Sequence, residues 1–285
     1  MISLKGVTKT FKRTTVLNGI NLEFAAGDRV ALIGSNGAGK TTLIRCLLGE
    51  YQFEGSISLN GENPRENRKA VLERIGFVPQ LPPPLKMPVQ QLLNFSAGVC
   101  GCSTDEMKAV AAQLGLDLEP LYKRPFEKLS GGQKQKLLIS IALGRPTSLL
   151  IMDEPAANLD PEARHTLFSL LEKKQEESAM LISSHRLDEV ASLVNRVIEL
   201  DRGKVVLDDR VDDSIDLSSL LNCNLTTTRI EPAFSKAISS WGFSAGADET
   251  QWSGTIPGPD RLRFLGTLSR YAALLAAVEI KEAKQ

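Results

Sequence analysis

Glycine, lysine and threonine stand at spacings that imply phosphate chemistry. The stretch Gly34-Ser35-Asn36-Gly37-Ala38-Gly39-Lys40-Thr41-Thr42 lies between an apolar run that reads as a strand and one that reads as a helix. Glycines so placed let successive backbone N–H groups turn inward around an anion, and the helix start adds its positive pole. In such a loop Lys40 reaches the β- and γ-phosphates of a nucleotide, and Thr41 offers a hydroxyl to magnesium. A second element, SLLIMDE, ends an apolar strand in Asp153 and Glu154. Strand C-termini are where parallel α/β sheets present their ligands. Asp153 is placed to hold the magnesium shell, and Glu154 to polarise a water beside the γ-phosphate. His185 ends the next apolar run, in SSHR, and is placed for a γ-phosphate contact.

A third stretch, Leu129-Ser130-Gly131-Gly132-Gln133, puts two glycines directly before an apolar helical run. Glycine costs about 1 kcal/mol relative to alanine within a helix. A pair at a helix start implies that something must come close to the backbone. The chain thus carries two helix starts suited to anions.

The elements that must position these residues alternate between strand and helix. Three β-like runs, MISLKGVTKTF, LNGINLEF and DRVALIG, precede the first glycine loop, and a helix follows from Lys40. GSISLNG and RIGFVPQ read as short strands. From Leu81 the character changes: LPPPLKMP excludes helix, and VQQLLNFSAGV and DEMKAVAAQLGL then show helical spacing. The three consecutive prolines make either a stiff connection from Gln80 into the helical insertion or a surface loop. Strand SLLIMD, helix PEARHTLFSLLEKKQEE, strand AMLISS, helix LDEVASLV and hairpin RVIELDRGKVVLD follow. His165, within the charged helix, is expected to face solvent. From about Asp216 the pattern restarts as βαββαβ, with a helix over DRLRFLGTLSRYAALLA and a last strand VEIKE. That appendage carries none of the chemical motifs and reads as a packing or dimerisation unit. The expected class is α/β: a P-loop NTPase core with an N-terminal antiparallel β subdomain, an α-helical insertion at about 81–140, and a ferredoxin-like C-terminal α+β appendage over 216–285.

Composition sets outer limits. The 285 residues are 42% hydrophobic, with 34 basic and 34 acidic side chains. Zero net charge argues against a general nucleic-acid binder. No apolar run approaches the roughly 18 residues that span a bilayer, and MISLKGVTKTFKR lacks the apolar stretch of a secretory signal. The four cysteines show no disulfide framework, which fits a reduced, cytosolic protein. Cys100-Gly101-Cys102 offers two soft ligands, with no second pair nearby.

Taken together, over about residues 1–215, these motifs resemble the ATPase subunit of the ATP-binding cassette family. GSNGAGKTT is similar to its Walker A loop, SLLIMDE to Walker B and LSGGQ to its signature. Gln80 resembles the Q-loop glutamine, Asn158-Leu159-Asp160 the D-loop, and His185 the switch histidine. Phe11 stands where the family places an aromatic that stacks on adenine. The resemblance implies ATP and Mg2+ as cofactors. It implies ATP contacts from Phe11, the 34–42 loop, Gln80, Ser130, Gly131, Gly132, Gln133 and Asp160, and magnesium contacts from Thr41, Gln80 and Asp153. Catalytic roles fall to Glu154 and His185. It further implies a homodimer in which the Walker A loop of one copy and the signature of the other clamp the same ATP. Membrane subunits would bind the substrate, with the chain peripheral on the cytoplasmic face of the inner membrane. Chain length, the single cassette and the appendage look more like bacterial separate-subunit exporter ATPases, while LYKRPFEK departs from the acidic pre-signature loop of large export pumps. The competing expectation is a soluble cassette ATPase acting on nucleic acid or the ribosome. No long heptad run and no second cassette support it. A phosphate-loop kinase or GTPase is disfavoured by LSGGQ.

Overall fold

The computed structural model describes residues 2–174, 178–184, 190, 193–210, 220–246, 248–257 and 261–282. The chain divides into two compact units, Met1–His185 with Leu193–Asp209, and Arg186–Ser192 with Arg210–Gln285.

In the first unit, β1 (Ile2–Phe11), β2 (Thr14–Phe24) and β4 (Glu54–Leu59) pair antiparallel in the order β2-β1-β4. A second sheet runs β5-β6-β7-β3-β8-β9, from β3 (Arg29–Ile33), β5 (Ile75–Val78), β6 (Leu149–Asp153), β7 (Ala179–Ser183), β8 (Arg196–Asp201) and β9 (Lys204–Arg210). Every residue of β6 is buried, as expected of a parallel strand covered on both faces. The apolar faces of β1, β2, β4 and the parallel strands meet in one core with helix α1 (Lys40–Leu47). The turn between β8 and β9 is Arg202-Gly203, with φ of 46° and 75°, the left-handed pair that a two-residue hairpin connection requires.

Strand register sets the site. Val78 lies level with Met152, Asp153 with Ser183, and Leu32 with Ser183. Gln80, Asp153-Glu154 and Gly34 therefore leave the sheet along one edge, at the carboxyl ends of β5, β6 and β3.

The insertion has its own core of Val89, Leu93, Met107, Phe126 and Leu137, between α3 (Val89–Cys100), α4 (Asp105–Gln113) and α5 (Gly131–Leu143). The proline linker is not a loose surface loop. Leu85 and Met87 carbonyls accept from Glu127 N and Phe126 N, both at 2.9 Å, and Val89 N donates to Arg124 O at 3.0 Å. The segment after Gln80 is thereby stitched to the segment before the signature. A short helix α2 (Arg68–Leu72), not expected from its sequence, precedes β5. Helix α6 (Pro161–Lys174) follows Asp160. His165 on it is exposed, as expected. Most of the helix expected over LDEVASLV lies outside the described residues.

The second unit orders its strands β11-β12-β10-β13, from β10 (Leu220–Thr227), β11 (Ser244–Ala245), β12 (Gln251–Pro257) and β13 (Leu275–Glu282). All its pairs are antiparallel. Helices α7 (Pro232–Ser239) and α8 (Arg261–Ser269) bury Phe234, Ile238, Phe264 and Leu268 against Cys223, Leu225, Trp252 and Ile256. This is the βαββαβ arrangement. One boundary differs from the sequence reading: the last helix stops at Ser269 rather than Ala276, and β13 starts at Leu275. The run AALLAAV, Ala272 to Val278, has no charge to mark a boundary, and pairing with β10 takes it into the sheet from Leu275.

Candidate nucleotide site

The 34–42 loop owes its shape to positive φ at Gly34 (143°), Gly37 (85°) and Gly39 (110°). A side chain at Gly34 would meet Leu200 O at 2.3 Å, and one at Gly39 would meet Leu17 Cδ2 at 2.9 Å and Val16 O at 3.0 Å. The loop is thus clasped by β8 on one side and β2 on the other. Gly203 N donates to Ala38 O at 3.0 Å, and Asn18 N to Gly203 O at 2.8 Å, so the β8–β9 turn ties the loop to β2. Leu43 N closes the first helical turn on Gly39 O at 2.8 Å.

Lys40 is only 6% exposed, and its ammonium donates to Gly34 O at 2.6 Å and Ser35 O at 3.3 Å. Burial pushes its pKa down, and the facing carboxylates of Glu154 and Asp153 oppose that shift. A buried cation at the start of a helix, within a glycine loop, suits an anion.

Thr41 Oγ1 donates to Asp153 Oδ2 at 2.8 Å, and Ser183 Oγ to Asp153 Oδ1 at 2.5 Å. Ser183 Oγ also accepts from Glu154 N at 3.1 Å. Ser183, which the sequence reading passed over, therefore fixes both the buried carboxylate and the start of the next loop. Glu154 has φ of 51°, uncommon for a side chain of its size, so the chain turns sharply at the acid. The Thr41 hydroxyl and Asp153 carboxylate, which meet here, are hard oxygens with one charge between them, and among the described residues no hydrogen bond brings the expected Gln80 amide to them. That suits Mg2+, which keeps waters and phosphate oxygens in its shell. Among the described residues no three His, Cys, Asp or Glu side chains gather for a metal. Arg145 Nη1 lies 2.5 Å from Cys100 Sγ, a cation where a metal at Cys100-Gly101-Cys102 would have to sit.

Phe11 ends β1 at the hairpin tip and is 39% exposed. Its ring meets Tyr51 edge-on at 5.2 Å, and Lys9 Nζ lies 4.6 Å from its centroid. Tyr51 and Lys9 were not foreseen; nothing in their spacing marks them.

Ser130 caps α5 through a reciprocal pair: its hydroxyl accepts from Gln133 N at 3.2 Å, and Gln133 Oε1 accepts from Ser130 N at 3.0 Å. The two side chains expected at ATP thus hold each other. Gly131 leaves the first turn open, with nothing within 4 Å of an added Cβ among the described residues, while Gly132 backs onto the Asn158 carbonyl. Asp160 engages its own chain with both oxygens: Oδ1 accepts from Ala163 N at 2.8 Å, and Oδ2 pairs with Lys136 at 2.9 Å. Those bonds hold its pKa below the usual carboxylate value. His185 lies outside the described residues.

The chain matches the family described as ABC transporter over residues 17–157. It is 34% identical over 236 residues to the lantibiotic transport ATP-binding protein SrtF of Streptococcus pyogenes, a match covering 78% of this chain and 96% of that one. It is 32% identical to the glutamine transport ATP-binding protein GlnQ of Escherichia coli, over 73% of this chain and 90% of that one. A solved ATP-binding subunit of an ABC transporter superposes with a TM-score of 0.68 at 27% identity, covering 75% of this chain and 91% of that one. The chain belongs to the ATP-binding cassette family of transporter ATPases. Within that family it is an ATP-binding, ATP-hydrolysing cassette.

Proposed function

We propose that two copies of this chain close around two ATP–magnesium complexes, and that closure drives separate membrane subunits, which bind the transported substrate. The observation that carries this reading is Gly131. A Cβ added there would meet nothing within 4 Å, and its φ is not positive. Among the described residues nothing requires glycine at this position, although glycine disfavours helix. An anion approaching the bare first turn of α5 from outside accounts for glycine there. Lys40 and the glycine loop hold that same anion in the opposite copy. Two positive helix starts repel until ATP lies between them, so closure depends on the γ-phosphate, and its loss on hydrolysis reopens the pair.

Within each site the chain's own residues take distinct parts. Phe11 stacks on the base, and the 34–42 loop with Lys40 holds the phosphates. Thr41, Asp153 and Gln80 would hold Mg2+, which neutralises phosphate charge when bound. Glu154 orients and polarises the attacking water, and His185 contacts the γ-phosphate. Ser130, Gly131, Gly132 and Gln133 serve the partner's nucleotide, and Asp160 stands beside it.

The membrane partner docks on the insertion. A groove of 630 Å³ between the core and α3 is lined by Leu48, Leu72, Phe77, Val99 and Arg145. Phe95 and Val99, one helical turn apart on α3, are 59% and 47% exposed. Exposed Phe95 and Val99 beside a groove edged by Glu50, Arg68, Lys69 and Glu73 suit an amphipathic cytoplasmic helix of a membrane subunit. Among the described residues, the appendage's sheet face away from its helices carries no aromatic side chain on which a base could stack; Asn222, Asn224, Gln251, Ser253, Glu279 and Lys281 lie on it. The test is capture from detergent-solubilised membranes. Tagged chain should retain a multi-span membrane protein, and Phe95→Asp with Val99→Asp should lose it while keeping ATP hydrolysis. Retention of nucleic acid or ribosomes in its place would overturn the proposal.

A further inference from the structure

The signature helix is tied to the catalytic loop of its own chain at three successive points. Gly132 lies so close to Asn158 that an added Cβ would stand 3.3 Å from its carbonyl oxygen. Gln135, fully buried, donates from Nε2 to Pro155 O at 3.0 Å. Lys136, whose side chain is 15% exposed, meets Asp160 at 2.9 Å. The loop from Glu154 to Asp160 is thus laced along one side of α5, directly behind the acid that turns at φ 51°. Among the described residues, Gln135 Oε1 is buried without a hydrogen-bond donor. A buried orphan acceptor is a desolvation cost that an apolar side chain of similar shape avoids. An apolar side chain there would avoid that cost and lose the link to Pro155.

We infer that Gln135 and Lys136 are positioning residues that carry the docking of α5 on the partner's nucleotide into the placement of Glu154 in their own chain. This rests on the two-copy clamp proposed above and adds to it. In the clamp, α5 and Glu154 of one chain serve different ATP molecules. A rigid connection between them makes chemistry at each site depend on occupancy of the other. The lacing acts through Glu154 and touches no nucleotide itself, so its loss slows the chemical step without weakening ATP binding.

The test separates the two ideas. In a Glu154→Gln background, the full chain should associate with ATP and magnesium, and adding Lys136→Met should shift that association by less than about twofold, because the clamp itself is intact. In the chain with Glu154 present, Lys136→Met should lower kcat roughly tenfold with KM nearly unchanged, and Lys136→Arg should recover most of the loss. Asp160→Asn keeps an oxygen for Ala163 N and removes the charge that meets Lys136. It should cost about as much alone, and the double variant should be no slower than either single one, as for residues acting as a unit. Multiplying losses in the double variant, or an unchanged kcat in Lys136→Met, would overturn the inference. So would loss of ATP-driven association in Lys136→Met, which would make the lysine part of the clamp. A Glu154→Gln chain that never associates overturns the clamp itself.

Discussion

Thr41 and Asp153, 112 residues apart in sequence, meet side chain to side chain at 2.8 Å. The hydroxyl leaves the first turn of α1 and the carboxylate ends β6, two strands away from β3 in the sheet. The contact sets two hard oxygens side by side, the arrangement that the proposed Mg2+ would use. Thr41→Val keeps the shape and removes the oxygen. It should weaken ATP binding roughly tenfold when magnesium is present and leave it unchanged in EDTA, as for loss of one bond to a charged group. Thr41→Ser should restore binding. An equal loss in EDTA would place Thr41 on the phosphates instead of the metal.

Lys40 carries a folded-state cost. Its pKa is lowered, first by burial, against the opposing pull of Glu154 and Asp153. A lowered lysine pKa means that the folded chain holds the proton less tightly than the unfolded chain. The penalty is complete below the folded pKa and relieved as pH rises toward the ordinary value of 10.5. Lys40→Met should therefore raise the Tm of the nucleotide-free protein at neutral pH, with an advantage that shrinks as pH rises. It should also abolish tight ATP binding. Thermal melts across pH check the first claim: a Tm advantage that grows with pH contradicts it.

Phe11 presents an exposed ring backed by Tyr51 and Lys9. Base stacking is worth about 1–3 kcal/mol, so Phe11→Ala should raise the Kd for ATP by roughly five- to 150-fold. Saturated turnover should hold, because stacking is equal in the ground and transition states. Phe11→Tyr should be tolerated. Fluorescence titration against steady-state kinetics separates the two effects.

Gly203 lies far from the glycine loop in sequence but holds it. Its φ is 75°, and an added Cβ would stand 2.2 Å from Val16 O. Gly203→Ala should cost at least about 1–2 kcal/mol from the left-handed backbone alone, lowering Tm by several degrees. ATP affinity should fall with it, since Gly203 N supports Ala38 O. Unchanged stability would mean that the turn can shift freely. Gly131→Ala is the contrasting case, with open space and ordinary φ, and should leave Tm equal or higher.

The parts of this architecture that sequence exposes are those where chemistry constrains residue type. Gly34, Gly37 and Gly39 are legible because only glycine takes their φ values. Asp153 and Glu154 are legible because two acids rarely close an apolar strand. The βαββαβ order could be read from alternating periodicities. Ser183, Gln135 and Lys136 could not: a serine in AMLISS and a glutamine in an apolar helix are ordinary residues until the sheet order sets β7 between β6 and β3. The role of LPPPLKMP stayed open for the same reason, since its partners Phe126 and Glu127 lie some forty residues further on. The early stop of the helix at Ser269 was hidden because an alanine-leucine run satisfies helix and strand alike until β10 claims it.

The measurement that bears most directly on the two-copy clamp is the size of the full chain in solution, by light scattering at matched concentrations. Glu154→Gln keeps the side-chain shape and removes the charge, so ATP should stay bound and unhydrolysed, with Lys40, Thr41 and Asp153 intact. That variant should run as a dimer with ATP and magnesium and as a smaller species with ADP. Adding Gly131→Asp sets a carboxylate at the bare start of α5, where nothing in its own chain lies within 4 Å. In the clamp that charge faces the partner's γ-phosphate and repels it. The double variant should still bind ATP yet remain monomeric. If it dimerises with ATP as readily as Glu154→Gln does alone, the glycine pair does not face a neighbour's nucleotide, and the clamp is contradicted.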